Sequence, residues 1–477
     1  MTADRRFSNL VNENKEFEIL SDGSMAAFDI NPVLHHRPGT NPFDPMDIGG
    51  VYLGDQFLEI QTKNQKLLSL VIDIGSTTIS ASLVDNKKGV EIAHKSGLNP
   101  QRQYGDDVIS RATFIMGNEE GLEILQGLVL KQIKNLAQEL IEENNYEATD
   151  LYAVFVASNA IMNHILVGLS PAPLARSPYQ LQFEGKKTLD FSEIDMKEFG
   201  KGKLVVIPNI TAFVGGDLTA GIISTEIYKS KDTELLIDIG TNGELVLSHE
   251  GQMYSTSCAA GPALEGMGIS CGVTAQPGAI EETKAEDGQL ILQNINSQPS
   301  IGICGSGVLA VIREFLKIGL INYRGNIQKQ EKVSENLHHF YVEGQKALWV
   351  DREQNIFISQ KDIRQLQMAK GAILTGIESL LDFAEVDTDD IKKVYIAGQF
   401  GSYLSPDSLT QVGLLPSAFH DKIHYVGNTS KSGCFMISLN KEIYEKVDGL
   451  VRGIKHLSLT TVEKFDLLLA QATLFPK

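Results

Sequence analysis

At 477 residues the chain is long enough for two or three domains with substantial cores. A hydrophobic fraction of 42% with 21% charged residues is that of a globular protein. A net charge of −18 argues against nucleic acid or an anionic membrane as the partner, since both need a basic face. The four cysteines, Cys258, Cys271, Cys304 and Cys434, are scattered and show no C-x-x-C spacing. That usage fits a reducing cytoplasm and lacks the clustered run that an iron–sulfur centre requires. Residues 1–20 are polar, without the apolar core of a signal peptide. No stretch approaches the ~20 apolar residues that span a bilayer, so a soluble, cytoplasmic protein is expected.

Residues 1–66 carry turn chemistry without a sustained period, as in Asn31-Pro32, His35-His36-Arg37-Pro38-Gly39 and Asn41-Pro42-Phe43-Asp44-Pro45. They are predicted to form an irregular extension or a small subdomain. His35-His36 has no companion cysteine or third histidine at ligand spacing, so no metal site is expected there. From Leu67 strands and helices alternate. Val71-Ile72-Asp73-Ile74-Gly75-Ser76-Thr77-Thr78 reads as a strand and a tight turn, with a second strand over 79–84. The glycine is expected to supply positive φ. An amphipathic helix follows over 120–143, a buried strand over 151–157, a short helix over 159–166 and a strand over 204–208. A helix over 217–228 leads into Leu236-Ile237-Asp238-Ile239-Gly240-Thr241-Asn242-Gly243, which repeats the first loop's pattern.

Helices are then predicted over 307–320 and 359–384. In the second, Ser359 and Asp362 stand at capping-box spacing. Ile363, Leu366, Ile373, Leu374, Ile377, Leu380 and Leu381 line one face of it. Strands are expected at 394–397 and around Tyr425-Val426. The pattern implies an α/β protein with mixed sheets. It divides near Lys231 into residues 67–231 and 232–477.

A turn of the repeated kind aims backbone N–H groups and hydroxyls into one concavity, which suits a phosphate. An Asp just before it suits magnesium reached through water. One copy alone reads more readily as an ordinary hairpin. Two copies make a duplicated nucleotide clamp the stronger reading. Two further glycine turns, Gly302-Ile303-Cys304-Gly305-Ser306-Gly307 and Ala397-Gly398-Gln399-Phe400-Gly401, are candidates for contact with the nucleoside.

Asp73-Ile-Gly-Ser-Thr-Thr, Asp238-Ile-Gly-Thr-Asn-Gly and Ala397-Gly-Gln-Phe-Gly, in this order, resemble the phosphate-1, phosphate-2 and adenosine motifs of the acetate and sugar kinase, heat-shock chaperone and actin (ASKHA) superfamily. The resemblance is closer to the ATP-dependent reductive activators of corrinoid proteins. It is carried by Asn99-Pro-Gln, Tyr104-Gly-Asp-Asp-Val-Ile-Ser-Arg111, Met162-Asn-His-Ile-Leu-Val-Gly168 and Phe213-Val-Gly-Gly-Asp217. Ala260-Gly-Pro-Ala-Leu-Glu-Gly266, Gly302-Ile-Cys-Gly-Ser-Gly307 and the terminal Leu474-Phe-Pro476 extend it. It runs from about Leu67 to Lys477.

The resemblance implies two ribonuclease-H-like subdomains facing each other across a cleft for ATP and magnesium. Asp73 and Asp238 would hold magnesium-bound waters. Gly75, Ser76, Thr77 and Thr78, with Gly240, Thr241, Asn242 and Gly243, would contact the phosphates. Gly305, Ser306, Gly398, Gln399 and Gly401 would border the nucleoside. Asp217 would be the carboxylate that orients the attacking water, a role that needs positioning rather than a strongly shifted pKa. A helix N-cap is the plainer reading of Asp217. Relatives carry an iron–sulfur domain, and this chain departs from them in having no cysteine cluster, so no iron–sulfur cluster is expected.

Around Lys431, in Gly427-Asn-Thr-Ser-Lys-Ser-Gly433, the family tends to have small residues. Lys431 is expected to solvate a loop, with phosphate contact as the alternative. Arg111 with Asp106 and Asp107 reads as a polar cluster near the cleft, a protein-contact face or a helix-surface ion pair. His164, in an apolar helix, is expected to be buried and satisfied. The leading function is an ATP-hydrolysing activator that closes on ATP and remodels or activates a corrinoid protein. The electron would come from a separate donor, and a homodimer stands as a candidate assembly. The alternatives are a sugar or carboxylate kinase and a non-hydrolysing nucleotide sensor.

Overall fold

The computed structural model describes residues 16–20, 25–28, 30–38, 48–62, 66–398 and 404–477. The chain is mixed α/β and divides into two compact units. One comprises residues 1–228 with 428–454, the other residues 229–427 with 455–477.

The first unit is built on a six-stranded sheet in the order Lys187–Asp190, Lys203–Val206, Leu151–Ser158, Leu68–Ile74, Thr78–Asp85, Val90–Leu98. Leu151–Ser158 runs parallel to both Lys203–Val206 and Leu68–Ile74, while Thr78–Asp85 returns antiparallel. Alternation along Leu68–Ile74 explains its central place. Leu68, Leu70 and Ile72 enter one core and Val71 the other, so the strand is buried on both faces. The first core is closed by the helix Gly121–Glu143, which presents Leu125, Val129, Ile133, Leu136 and Leu140 at helical spacing. The second is closed by the helices Gly216–Thr225 and Thr429–Leu439.

The described part of the first 66 residues also belongs to this second core. Leu34–Pro38, Ile48–Leu53 and Gln56–Thr62 form a three-stranded antiparallel sheet. Leu34, Val51, Leu53 and Leu58 pack with Phe155 and Phe435. The Asn31 N–H donates to the Leu439 carbonyl at 3.0 Å, and Lys441 N–H donates to the Asn31 carbonyl at 2.7 Å.

The second unit repeats the plan. Its six-stranded sheet runs Ile423–Gly427, Lys393–Ala397, Glu234–Ile239, Gly243–His249, Gln252–Cys258, Lys455–His456. In both sheets the Asp-bearing strand is central, with a parallel strand on one side and its antiparallel hairpin partner on the other. Each loop therefore leaves its sheet at the carboxyl ends of the parallel strands, where α/β sheets bind ligands. The long helix Gln360–Phe383 packs beneath, and its predicted capping box forms. Asp362 N–H donates to the Ser359 hydroxyl at 3.2 Å, and Ser359 N–H donates to the Asp362 carboxylate at 2.8 Å.

That helix also fixes the terminal motif. Lys370 is fully buried and its ammonium donates to the carbonyls of Ala472 at 2.5 Å and Leu474 at 2.6 Å. Gln367 donates to the Thr473 carbonyl at 2.7 Å, and Phe475 N–H to the Tyr323 carbonyl at 2.8 Å. Burial lowers the Lys370 pKa to about 8, partly offset by Glu378. The unfolded chain, with a lysine near 10.5, then binds more protons above about pH 8, so this group makes the fold more stable as pH rises through that window. Urea unfolding at pH 7.5 and 9.5 should show wild type gaining stability relative to Lys370→Met at the higher pH. An unchanged difference would contradict the assignment. Among the described residues no helix is long and apolar enough to cross a membrane.

Candidate functional site

In the first unit the turn Gly75-Ser76-Thr77 joins Leu68–Ile74 to Thr78–Asp85. The Gly75 N–H donates to the Thr78 carbonyl at 2.9 Å. A Cβ on Gly75 would stand 2.9 Å from that same oxygen. Neither Gly75 nor Gly240 lies in the left-handed region, which corrects the expectation of positive φ. At Gly75 it is the close approach that requires glycine.

The carbonyls of this turn are held from outside. Asn99 donates through Nδ2 to the Gly75 carbonyl at 2.9 Å and through its backbone N–H to the Thr77 carbonyl at 2.8 Å. Arg111 donates to the Ser76 carbonyl. In a trans peptide the N–H points opposite the C=O. Fixing the Gly75 and Ser76 carbonyls on Asn99 and Arg111 therefore turns the N–H groups of Ser76 and Thr77 the other way, as an anion nest requires.

Of the three readings open for Arg111, the surface ion pair and the protein-contact face do not hold; it lies among buried polar groups, although Asp106 and Asp107 are not its hydrogen-bond partners. It is fully buried, donates also to the Gly105 carbonyl at 3.0 Å, and has its pKa lowered by desolvation to about 10. Asp107 instead caps the helix Val108–Gly117, accepting from Ser110 N–H at 2.7 Å.

Asp73, half-buried at the strand end, accepts from Asn428 Nδ2 and from Ser430 Oγ, both at 2.9 Å. Asn428 also caps the helix Thr429–Leu439 by accepting from Lys431 N–H at 2.9 Å. Lys431 departs from its expected solvated place. Its ammonium is fully buried and lies 2.9 Å from the Glu91 carboxylate, itself only 6% exposed, with His94 Nδ1 at 3.4 Å.

Asp217 sits in the first turn of Gly216–Thr225, half-buried, with Oδ1 accepting from Leu218 N–H at 2.9 Å. The N-cap is Gly215, which corrects the capping reading of Asp217. A Cβ at Gly215 would fall 2.4 Å from Asn159 Cα. Gly215 thus lets the helix start press against the end of Leu151–Ser158, the strand beside Asp73, and Gly216 lets it approach the Ile207 carbonyl, 2.6 Å from where its Cβ would stand. His164 behaves as expected: it is buried, with Nδ1 2.7 Å from the Ala160 carbonyl and Nε2 accepting from Gln182 N–H at 3.1 Å. Burial lowers its pKa.

In the second unit Asp238 is half-buried at the end of Glu234–Ile239. Gly398, at φ 93°, packs against it. A Cβ there would lie 3.1 Å from Asp238 Oδ1 and 2.8 Å from the Ile239 carbonyl. Gln399 and Gly401 fall outside the described residues. In the Gly240-Thr241-Asn242 turn, the Gly240 N–H donates to the Asn242 carbonyl at 3.1 Å, and Asn242 is exposed. Gly243 is buried within its strand, where a Cβ would meet Cys258 Sγ at 2.8 Å. Gly305 and Ser306 open the helix Gly305–Lys317, and a Cβ at Gly305 would stand 1.8 Å from the Leu264 carbonyl.

One group in this unit has no role in the sequence reading. Glu265 accepts a hydrogen bond from Thr241 Oγ1 at 2.8 Å, and burial raises its pKa, partly offset by that hydroxyl and the Thr241 N–H. The Ala260–Gly266 stretch was visible as a motif, but spacing alone does not bring it to the turn.

Comparisons with known proteins bear on the family and the fold. The family model described as the C-terminal domain of RACo, the ASKHA domain, matches residues 232–477. The chain belongs to this family. The model of the RACo middle region matches residues 68–230. Among curated proteins, the chain is 29% identical over 423 residues to "Corrinoid activation enzyme RamQ" of Eubacterium limosum, covering 86% of this chain and 70% of that protein. It is 28% identical over 288 residues to "[Co(II) methylated amine-specific corrinoid protein] reductase" of Methanosarcina barkeri, covering 55% of this chain and half of that one. The solved structure "Reductive activator for corrinoid,iron-sulfur protein" superposes with a TM-score of 0.81 at 28% identity, over 94% of this chain and 80% of that one. The expected superfamily, branch and mixed α/β fold are borne out.

Proposed function

We propose that this chain is an ATP-binding and ATP-hydrolysing activator whose partner is a corrinoid protein of a methyltransferase system. The observation that carries the nucleotide reading is the anchoring of the Gly75-Ser76-Thr77 carbonyls by Asn99 and Arg111, which presents N–H donors beside the Asp73 carboxylate. The donor set fits magnesium-ATP. Each unit offers one phosphate turn and one strand-end carboxylate, and magnesium binds through one or two carboxylates, phosphate oxygens and retained water. When bound, magnesium-ATP supplies a transferable phosphoryl group and the charge that the turns recognise.

Ser76 and Thr77 N–H groups and the side chain of Asn242 would hold phosphate oxygens. Asp73 and Asp238 would hold the metal's water shell, and Asp217 would orient the attacking water. Gly398 would border the nucleoside. Asn428 and Ser430 bind both Asp73 oxygens, so they would hold the carboxylate in one orientation. The names of the relatives support the corrinoid partner.

The electron would come from a centre outside these 477 residues, whose thiols are poorly suited to ligate iron. Cys258, Cys304 and Cys434 are buried and Cys271 is half-buried. Burial pushes the Cys258 pKa up to about 12 and raises that of Cys434 further, disfavouring the thiolate that binds metal. A reducing, cytoplasmic setting fits the same thiols, and a homodimer remains part of the proposal.

Phosphate release from ATP, measured with and without a purified corrinoid protein, tests this reading. Wild type should release phosphate, faster with the partner, and Asp238→Ala should lose about 100-fold or more, as when one charge-stabilising group is removed. ADP formation that depends on an added sugar or carboxylate, with the phosphoryl group on that acceptor and no phosphate released, would favour a kinase. Binding without any release would make the chain a sensor.

A further inference from the structure

Thr241 carries one hydroxyl proton, and the geometry shows where it goes. Oγ1 stands 2.8 Å from Glu265 Oε1. In this pair the Thr241 hydroxyl is the donor and the Glu265 carboxylate oxygen the acceptor. Glu265 is held in place by its own backbone. The Gly261 N–H donates to the Thr241 carbonyl at 2.8 Å, binding the segment to the turn from one side. On the other side the Leu264 carbonyl abuts Gly305, where no Cβ would fit. Gly266 closes the short Pro262–Glu265 turn at φ 78°. A carboxylate set this firmly fixes the rotor of the threonine it touches.

The consequence reverses the role that the motif alone implies for Thr241. With its proton committed to Glu265, Oγ1 has only lone pairs left to offer a ligand. Lone pairs repel phosphate oxygens and attract hydrated magnesium. We propose that Glu265 is a positioning residue that makes Thr241 an acceptor for the water shell of magnesium, alongside Asp238 on the strand that leads into the turn, and leaves Asn242 as the phosphate donor there. This inference rests on the magnesium-nucleotide reading above and deepens it.

The experiment is ATP binding by the full chain, by calorimetry, in ~5 mM magnesium, in excess of nucleotide, and in EDTA. The ratio of the two dissociation constants reads the magnesium preference. Glu265→Gln keeps the shape but can donate its amide to Oγ1, turning the hydroxyl proton outward. Its magnesium preference should fall about five- to tenfold, the worth of one hydrogen bond, while affinity in EDTA holds or improves. Thr241→Val should lose the same preference, Thr241→Ser should retain it, and Glu265→Gln with Thr241→Val should lose no more than either alone. Thermal melts establish that each variant is folded.

An unchanged ratio in Glu265→Gln overturns the proposal, including the case in which both affinities fall together, as a purely structural role would produce. Loss of affinity in EDTA with the ratio intact would mean that Thr241 donates to phosphate. If wild type binds no ATP in either condition, the nucleotide reading itself fails and the proposal with it.

Discussion

Arg111→Met is expected to lower stability by about 3 kcal/mol and to weaken ATP binding at least tenfold. The buried guanidinium donates to the carbonyls of Ser76 and Gly105 and lies within hydrogen-bonding reach of Gln101 Oε1 at 3.4 Å. Methionine fills similar volume but leaves those acceptors without a donor, at roughly 1 kcal/mol each. The binding loss has a separate cause. Once the Ser76 carbonyl is released, its peptide can rotate, and the Thr77 N–H no longer has a fixed direction. Arg111→Lys should recover little, because an ammonium cannot reproduce the planar fork that spans several acceptors. Urea unfolding and ATP calorimetry on the same samples separate the two effects. Normal ATP affinity in a destabilised Arg111→Met would show that Arg111 supports the fold and not the turn.

Lys431→Met is expected to cost about 3–5 kcal/mol, the range for breaking a buried ion pair from one side. Glu91 would lose the Lys431 ammonium while keeping little access to water. Combining Lys431→Met with Glu91→Gln should recover most of the loss, since removing both charges also removes their desolvation cost. Chemical unfolding of the single and double variants measures this. A lysine that merely solvated a loop would give a change within about 0.5 kcal/mol. The helix that carries Lys431 also carries Ser430 and is capped by Asn428, so the single variant should also disturb the two hydrogen bonds on Asp73.

These residues mark where the sequence was readable. Elements defined by local period were legible. The repeated Asp-Ile-Gly turns, the stripe of the helix Gln360–Phe383 and its Ser359–Asp362 box all depend on neighbours within a few positions. What stayed hidden depends on partners brought together by the fold. Asp73 meets Asn428 across 355 positions of sequence, and no spacing rule reaches that far. Charged residues were misplaced for the same reason. Lysine and arginine are ordinarily exposed, and only the positions of Glu91 and of the Ser76 carbonyl reveal why Lys431 and Arg111 are inside. Glu265 was present in a quoted motif, yet its partner Thr241 lies 24 positions away. The need for glycine at Gly75 was read correctly, but the cause is contact with the Thr78 carbonyl and not the sign of φ.

The measurement closest to the central proposal follows the cobalt of a purified corrinoid protein by absorbance, in the presence of an added low-potential electron donor. Reduction of Co(II) is expected only when this chain and magnesium-ATP are both present, and it should be lost with Asp238→Ala. Reduction at the same rate without ATP, or without this chain, would contradict a role as an ATP-dependent activator.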